Sequence, residues 1–299
     1  MIALLPLMIS LSGCTAPPGA GVVSLHDTTT EMVAALDRTD ALLAVTEPGF
    51  LSPGAEAAVA GLPRLPSGAL SAEAILALRP ATVLGTDVIT ERQPELTAAL
   101  ERAGVALLFI DPEGLDGLWR SLEQVGAAVD AGPEAASLGA SLAASLPPVT
   151  TDDALDGGPV RVFLYDCCDP PFTAGGRAPV SELLRRLGAV NVFEDLDQDW
   201  ATVSWEAAAG REPELIVIHD YSWEGQAGAP EKRASLSANP WLARSDAARP
   251  EHLITMPLAL ALEGLRSLEA LPLLAPHVAA ARARRSPPTH PSDPTENHP

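Results

Sequence analysis

Ser71–Asp87, SAEAILALRPATVLGTD, is followed later in the chain by a related stretch, Ser204–Asp220, SWEAAAGREPELIVIHD. At one fixed offset and without a gap, Ser71 matches Ser204, Glu73 matches Glu206, Ala74 matches Ala207, Pro80 matches Pro213 and Asp87 matches Asp220. Each copy spells a short helix running into a buried strand. The serine hydroxyl can accept a free N–H of the first helical turn, and the glutamate lies in that turn, where the helix dipole favours an anion. Proline then ends the helix, because the residue before it is pushed out of the α region. Val83-Leu84 and Leu215-Ile216-Val217-Ile218 read as strands buried on both faces, stopping at Thr86-Asp87 and His219-Asp220. Ligands of open parallel sheets bind outside the carboxyl ends of the strands. The repeat therefore predicts two related lobes whose strand ends face each other across a cleft.

Working outward, Val22 to Leu25 is a first strand ending at His26-Asp27-Thr28-Thr29-Thr30, and residues 31–40 form a helix with Met32, Val33 and Leu36 on one face. Ala41 to Val45 is a second strand ending at Thr46-Glu47-Pro48; a Gly- and Pro-rich loop spans Phe50 to Ser67. After the first repeat come a helix from Pro94 to Ala103 and a strand from Val105 to Ile110. From Leu115 to Pro147 the pattern is helical alone: Leu118, Leu122, Val125 and Val129, then a restart at Gly132-Pro133 through Leu138, Leu142 and Leu146. This segment is expected to be a rigid connector that limits closure of the lobes. The second lobe opens with Val160 to Leu164, ending at Tyr165-Asp166-Cys167-Cys168-Asp169, and continues through a loop PPFTAGGRAP and a helix SELLRRLG capped by Gly188. Beyond the second repeat, Asp220 to Gly225 forms a polar and aromatic loop; the stretch from Asn239 to Val278 reads as helix, strand (Leu253 to Met256) and final helix. The expected fold is α/β: two Rossmann-like lobes with mostly parallel sheets joined by a long rigid helix. Its divisions are 1–21 (leader and linker), 22–114 (first lobe), 115–150 (connector), 151–284 (second lobe) and 285–299 (tail).

A chain of 299 residues, 47% of them hydrophobic, can bury two cores of lobes of roughly 100 to 150 residues. The net charge of −20 argues against nucleic acid and anionic membrane surfaces as partners, since basic patches hold those. The opening MIALLPLMISLSGC is apolar and too short to span a bilayer, so it reads as the h-region of a signal peptide. Leu11-Ser12-Gly13-Cys14 resembles a bacterial lipobox, which makes Cys14 the expected lipidated residue and a lipid anchor the only membrane contact. The closing SPPTHPSDPTENHP is proline-rich, polar and aperiodic, the composition of a disordered tail.

The loops expected to face the cleft carry His26, Asp27, Glu47, Phe50, Asp87, Asp166, Cys167, Cys168, Phe172, Trp200, Asp220, Tyr221 and Trp223. Aromatic faces suit a flat or macrocyclic ligand, and carboxylates suit cationic edges, amide donors or a metal. His26, Cys167 and Cys168, with Asp166, could ligate a transition metal, although no C-x-x-C or H-x-x-x-H spacing is present. For the adjacent cysteines, free thiols, a vicinal disulfide and soft-metal ligation all stay open. A cysteine hydrolase drawn from Cys167 or Cys168 with His26 is disfavoured, because Asp166 and Asp169 would raise a thiol pKa. The chain has no G-x-S-x-G, H-E-x-x-H or Gly-rich phosphate loop, so no enzymatic activity is expected.

Asp169–Gly175 (DPPFTAG), followed by ELLRRLGAVNVF and DWATVSWEAA, resembles the class III solute-binding proteins of bacterial ABC importers, which take cobalamin, siderophores or haem. SLHDTTTEMVAAL and LSAEAILALRPATVL in the first lobe are similar to the same class, and the motifs lie nearest to its cobalamin-binding members. The resemblance spans Val22 to Ala275 and is most specific in PPFTAG and in W-x-x-V-S-x-E. It implies two α/β lobes joined by one long helix, a transported corrinoid, haem or metal-chelate ligand, no covalent cofactor, and a monomer working with a membrane permease. It further implies that Glu73 and Glu206 pair with the permease, one from each lobe, and it ranks Phe172 and Trp200 first among the ligand contacts. Leu65-Pro66-Ser67-Gly68-Ala69 departs from the cobalamin pattern, having no aromatic where those members have a tryptophan.

Overall fold

Val22, Val23 and Ser24 lie fully inside the first lobe as strand β1 (Val22–Ser24). The structure is a computed structural model describing residues 21–150, 157–221, 227–243 and 245–285. Helix α1 (Asp27–Ala35) follows, starting four residues earlier than its apolar pattern suggests, because His26 caps it through Nδ1. Then come β2 (Leu42–Thr46), α2 (Pro53–Ala58), β3 (Arg64–Leu65), α3 (Ala72–Ala77), β4 (Thr82–Thr86), α4 (Asp87–Arg92), α5 (Pro94–Arg102) and β5 (Ala106–Ile110). The expected Phe50–Ser67 loop thus holds a helix capped by Ser52 and a short edge strand. All five strands are parallel, in the order β3-β2-β1-β4-β5. The order reverses between β1 and β4, the place where open α/β sheets bind ligands.

The connector is two helices, α6 (Gly114–Ala128) and α7 (Gly132–Ser145), the second beginning at the Gly132-Pro133 restart, where the family resemblance implied one long helix. The break falls at Val129–Ala131, where Asp130 takes a φ of 52°. Leu118, Leu122 and Val125 of α6 are wholly buried in a core shared by both lobes. That makes α6 a packed wall, consistent with rigidity.

The second lobe repeats the first. It runs β6 (Val160–Cys167), β7 (Phe172–Ala174), α8 (Pro179–Arg186), β8 (Ala189–Asn191), β9 (Trp200–Thr202), α9 (Trp205–Gly210), β10 (Leu215–Asp220), α10 (Ala229–Ala238), β11 (Leu253–Pro257) and α11 (Ala270–Arg285). Its parallel strands lie in the order β8-β6-β10-β11, matching β2-β1-β4-β5. The expected PPFTAGGRAP loop instead supplies β7, and with β9 it adds two antiparallel strands beside the upper half of β6. This sheet is therefore mixed. The helix expected after Asn239 is replaced by short 3-10 turns at Asp246–Ala248 and Pro250–His252. Arg285, expected to begin the tail, closes α11 and pairs with Glu214. The leader with Cys14 and the segment 286–299 lie outside the described residues.

Candidate functional site

The strand ends of the two lobes come together. Thr28 Oγ1 of α1 donates to the carbonyl of Glu263 at 2.8 Å, and Arg266 Nη1 donates to the carbonyl of Phe50 at 2.7 Å. Arg177 of the second lobe lies 3.4 Å from Glu113 and 3.6 Å from Asp199. Asp199 also feels the charges of Asp111 and Asp87, which stand just past β5 and β4. The two reversal points of the sheets thus look at each other across one cleft.

On the first-lobe side, His26, Asp27, Glu47 and Phe50 line a cavity of about 380 Å³. His26 is held by its own helix, Nδ1 accepting the N–H of Thr28 at 3.2 Å, and burial lowers its pKa. Asp27 Oδ2 accepts the backbone N–H groups of Gly49 and Phe50 at 2.8 and 2.6 Å, so this carboxylate fixes the loop that carries Phe50. Asp87 is exposed in the first turn of α4 and accepts the N–H of Val88.

On the second-lobe side, the residues singled out from sequence form a layered network. Phe172 and Trp200 stack with ring centroids 5.7 Å apart and planes 18° from parallel. Adjacent antiparallel strands place them there, Phe172 in β7 and Trp200 in β9, on the face shared with Ala174 and Thr202. Behind them His219 is completely buried and pairs through Nδ1 with Asp166 Oδ1 at 3.2 Å. The other carboxylate oxygen of Asp166 accepts the hydroxyl of Tyr221 at 2.5 Å. Burial and this bond raise the Tyr221 pKa, which keeps the phenol protonated. Asp166 is therefore a buried anchor beneath the cleft wall. Asp220 accepts the N–H of Ala229 and so caps the start of α10. Trp223 lies outside the described residues.

Cys167 and Cys168 are joined in a vicinal disulfide, which leaves neither sulfur a thiolate. With the Nδ1 of His26 engaged as well, the alternative metal set of His26, Cys167, Cys168 and Asp166 is not assembled. Among the described residues, no three His, Cys, Asp or Glu groups are placed to hold a metal ion.

Sequence reasoning missed four contributors. Lys232, the chain's one lysine, is buried under Tyr221 and donates to the carbonyls of Asp166 and His219 at 2.5 and 2.6 Å. Its ammonium sits 3.7 Å from the Tyr221 ring centroid, and burial lowers its pKa. Its solitude in the sequence was a usable signal. Asp199 opens the quoted DWATVSWEAA motif and Arg177 closely follows PPFTAG, whereas Glu263 sits in a 3-10-rich segment with no pattern to betray it. Burial raises the carboxyl pKa of Glu263, opposed by the indole N–H of Trp200. A cavity of about 750 Å³ around Arg161, Glu214 and Trp241 lies elsewhere, at the strand starts, and is not part of the cleft.

The sequence is 29% identical over 214 residues to the vitamin B12-binding protein of Yersinia pestis, covering 71% of this chain and 74% of that one. The fold is similar to that of a periplasmic binding protein from Veillonella parvula, with a TM-score of 0.75 and 24% identity over 88% of this chain and 92% of that chain. It is also similar to a periplasmic haem-binding protein from Roseiflexus, with a TM-score of 0.70 and 23% identity over 88% of this chain and 99% of that chain. These are binding proteins rather than enzymes. With residues 22–260, both sheets and the cleft included, matching its model, the chain belongs to the periplasmic binding protein family.

Proposed function

We propose that this chain is the substrate-binding component of an ABC importer, capturing a corrinoid, haem or iron-siderophore ligand between its lobes and delivering it to a membrane permease. The observation that supports this best is the pairing of two sheet reversal points across one cleft, walled by the Phe172–Trp200 stack. The relatives named for vitamin B12 and haem point the same way. The aromatic pair offers its faces to a flat ring system, while the strand-end carboxylates meet its polar rim. Binding and handover are the whole mechanism, with no bond made or broken. The packed helix α6 favours small closures over wide hinge motion. A lipid on Cys14 would hold the monomer at the outer face of the cell membrane.

Docking falls to Glu73 and Glu206. Both are exposed in the first turns of α3 and α9, behind Ser71 and Ser204 caps that accept the N–H of Ala74 and Ala207. Like groups on both lobes suit a permease with twofold symmetry. Replacing both (Glu73→Arg with Glu206→Arg) should abolish uptake while leaving ligand affinity in solution intact. Uptake that survives the double charge reversal rules this docking role out.

A further inference from the structure

Four carboxylate oxygens among the described residues are sealed from solvent and accept no hydrogen bond, and three of them lie in the cleft: Asp27 Oδ1, Asp199 Oδ1 and Glu263 Oε1. Two of the three belong to carboxylates that already have a partner on their other oxygen. Asp27 is held by the N–H groups of Gly49 and Phe50, Asp199 pairs with Arg177 at 3.6 Å, and Glu263 lies within the influence of the Trp200 indole. Asp199 and Glu263 also bracket the cleft tryptophan, one preceding it in sequence and the other close enough to feel its indole. Both feel the charge of Asp87 from the opposite lobe. A buried acceptor without a donor is costly, so each one calls for a partner such as a water, an ion or a ligand group.

We propose that these carboxylates, above all Asp199 and Glu263, select a ligand whose rim presents N–H donors, and select against one whose rim presents carboxylates. Within the ligand classes proposed above, this assigns the cleft to a corrinoid, whose ring is edged with primary amides. Haem, edged with propionates, would set like charges against Asp87, Asp199 and Glu263. The inference rests on the reading of the cleft as a site for tetrapyrroles or metal chelates. It adds which edge chemistry that site accepts.

The test is a pair of titrations, cyanocobalamin and haemin, against the full chain and against Glu263→Gln and Asp199→Asn. These amide replacements keep side-chain shape and do not depend on a surviving charge for folding. The unaltered protein is expected to bind cyanocobalamin at least about tenfold more tightly than haemin, and each replacement to weaken cyanocobalamin by about tenfold. Haemin affinity should hold or rise in the same variants. Haemin binding as tightly as cyanocobalamin, or cyanocobalamin affinity unmoved in both variants, overturns the selection while leaving tetrapyrrole capture standing. Failure of both pigments, and of a ferric siderophore, overturns the proposed function and this inference with it.

Discussion

The imidazole of His219 stands edge-on to the indole of Trp200, ring centroids 5.7 Å apart and planes at 76°. Trp200 thus joins the buried Asp166–His219 pair to the cleft-facing stack with Phe172. Removing it should strip the cleft wall and one ring contact of His219 while leaving the Asp166–His219 hydrogen bond in place. Trp200→Ala is expected to weaken the captured ligand roughly three- to tenfold, the weight of one lost aromatic contact. Quenching of tryptophan fluorescence by an absorbing ligand should fall in the same variant. Unchanged affinity would remove Trp200 from the site.

Lys232 ties three elements together at the second lobe's reversal point, and only 3% of it is exposed. Lys232→Met keeps the stem but leaves the carbonyls of Asp166 and His219 without their donor, at a cost of about 2–4 kcal/mol. Denaturant unfolding measures this. Because this is the only lysine, amine-reactive labelling of its side chain should be slow in the native protein and fast once it unfolds.

Burial pushes the carboxyls of Glu263 and Asp199 above the usual range, with Asp87 and Asp111 adding to the effect and Arg177 and Trp200 opposing it. Between the ordinary carboxylate value and the raised one, the folded protein holds protons that the unfolded chain has lost. The ligand-free protein should therefore lose stability as pH rises through that window, mainly through Glu263, the more buried group. A ligand donating N–H groups favours the ionised carboxylates, so its binding releases protons and its affinity should rise with pH across the same window. Titrations from about pH 4 to pH 8 check the sign. Affinity that falls as pH rises would contradict it.

Much of the architecture was legible in sequence because it rests on period and repetition. Ser71 and Ser204 do cap helices, and Val83-Leu84 and Leu215 to Ile218 do form buried parallel strands. What escaped were elements too short to show a period, such as β3, β7 and β9, with two or three residues each. Phe172-Thr173-Ala174 pairs with Trp200-Ala201-Thr202 only because the chain returns to it, a non-local fact. In the site, the sequence marked positions at strand ends but not their depth. Asp166 and Asp220 stand at strand ends as expected, yet they spend their oxygens on Tyr221, His219 and a helix N-terminus. Glu263 was invisible because its importance comes from the first lobe folding over it, through Thr28.

Native mass spectrometry with absorbance, on protein purified from its own host, tests capture in the cleft most directly. The expected result is a non-covalent adduct with a corrin band, or at least a Soret or siderophore band, that is weakened in Trp200→Ala. An adduct of a bare metal ion, or an empty protein that takes up no cobalamin, haemin or ferric siderophore when offered them, would contradict it.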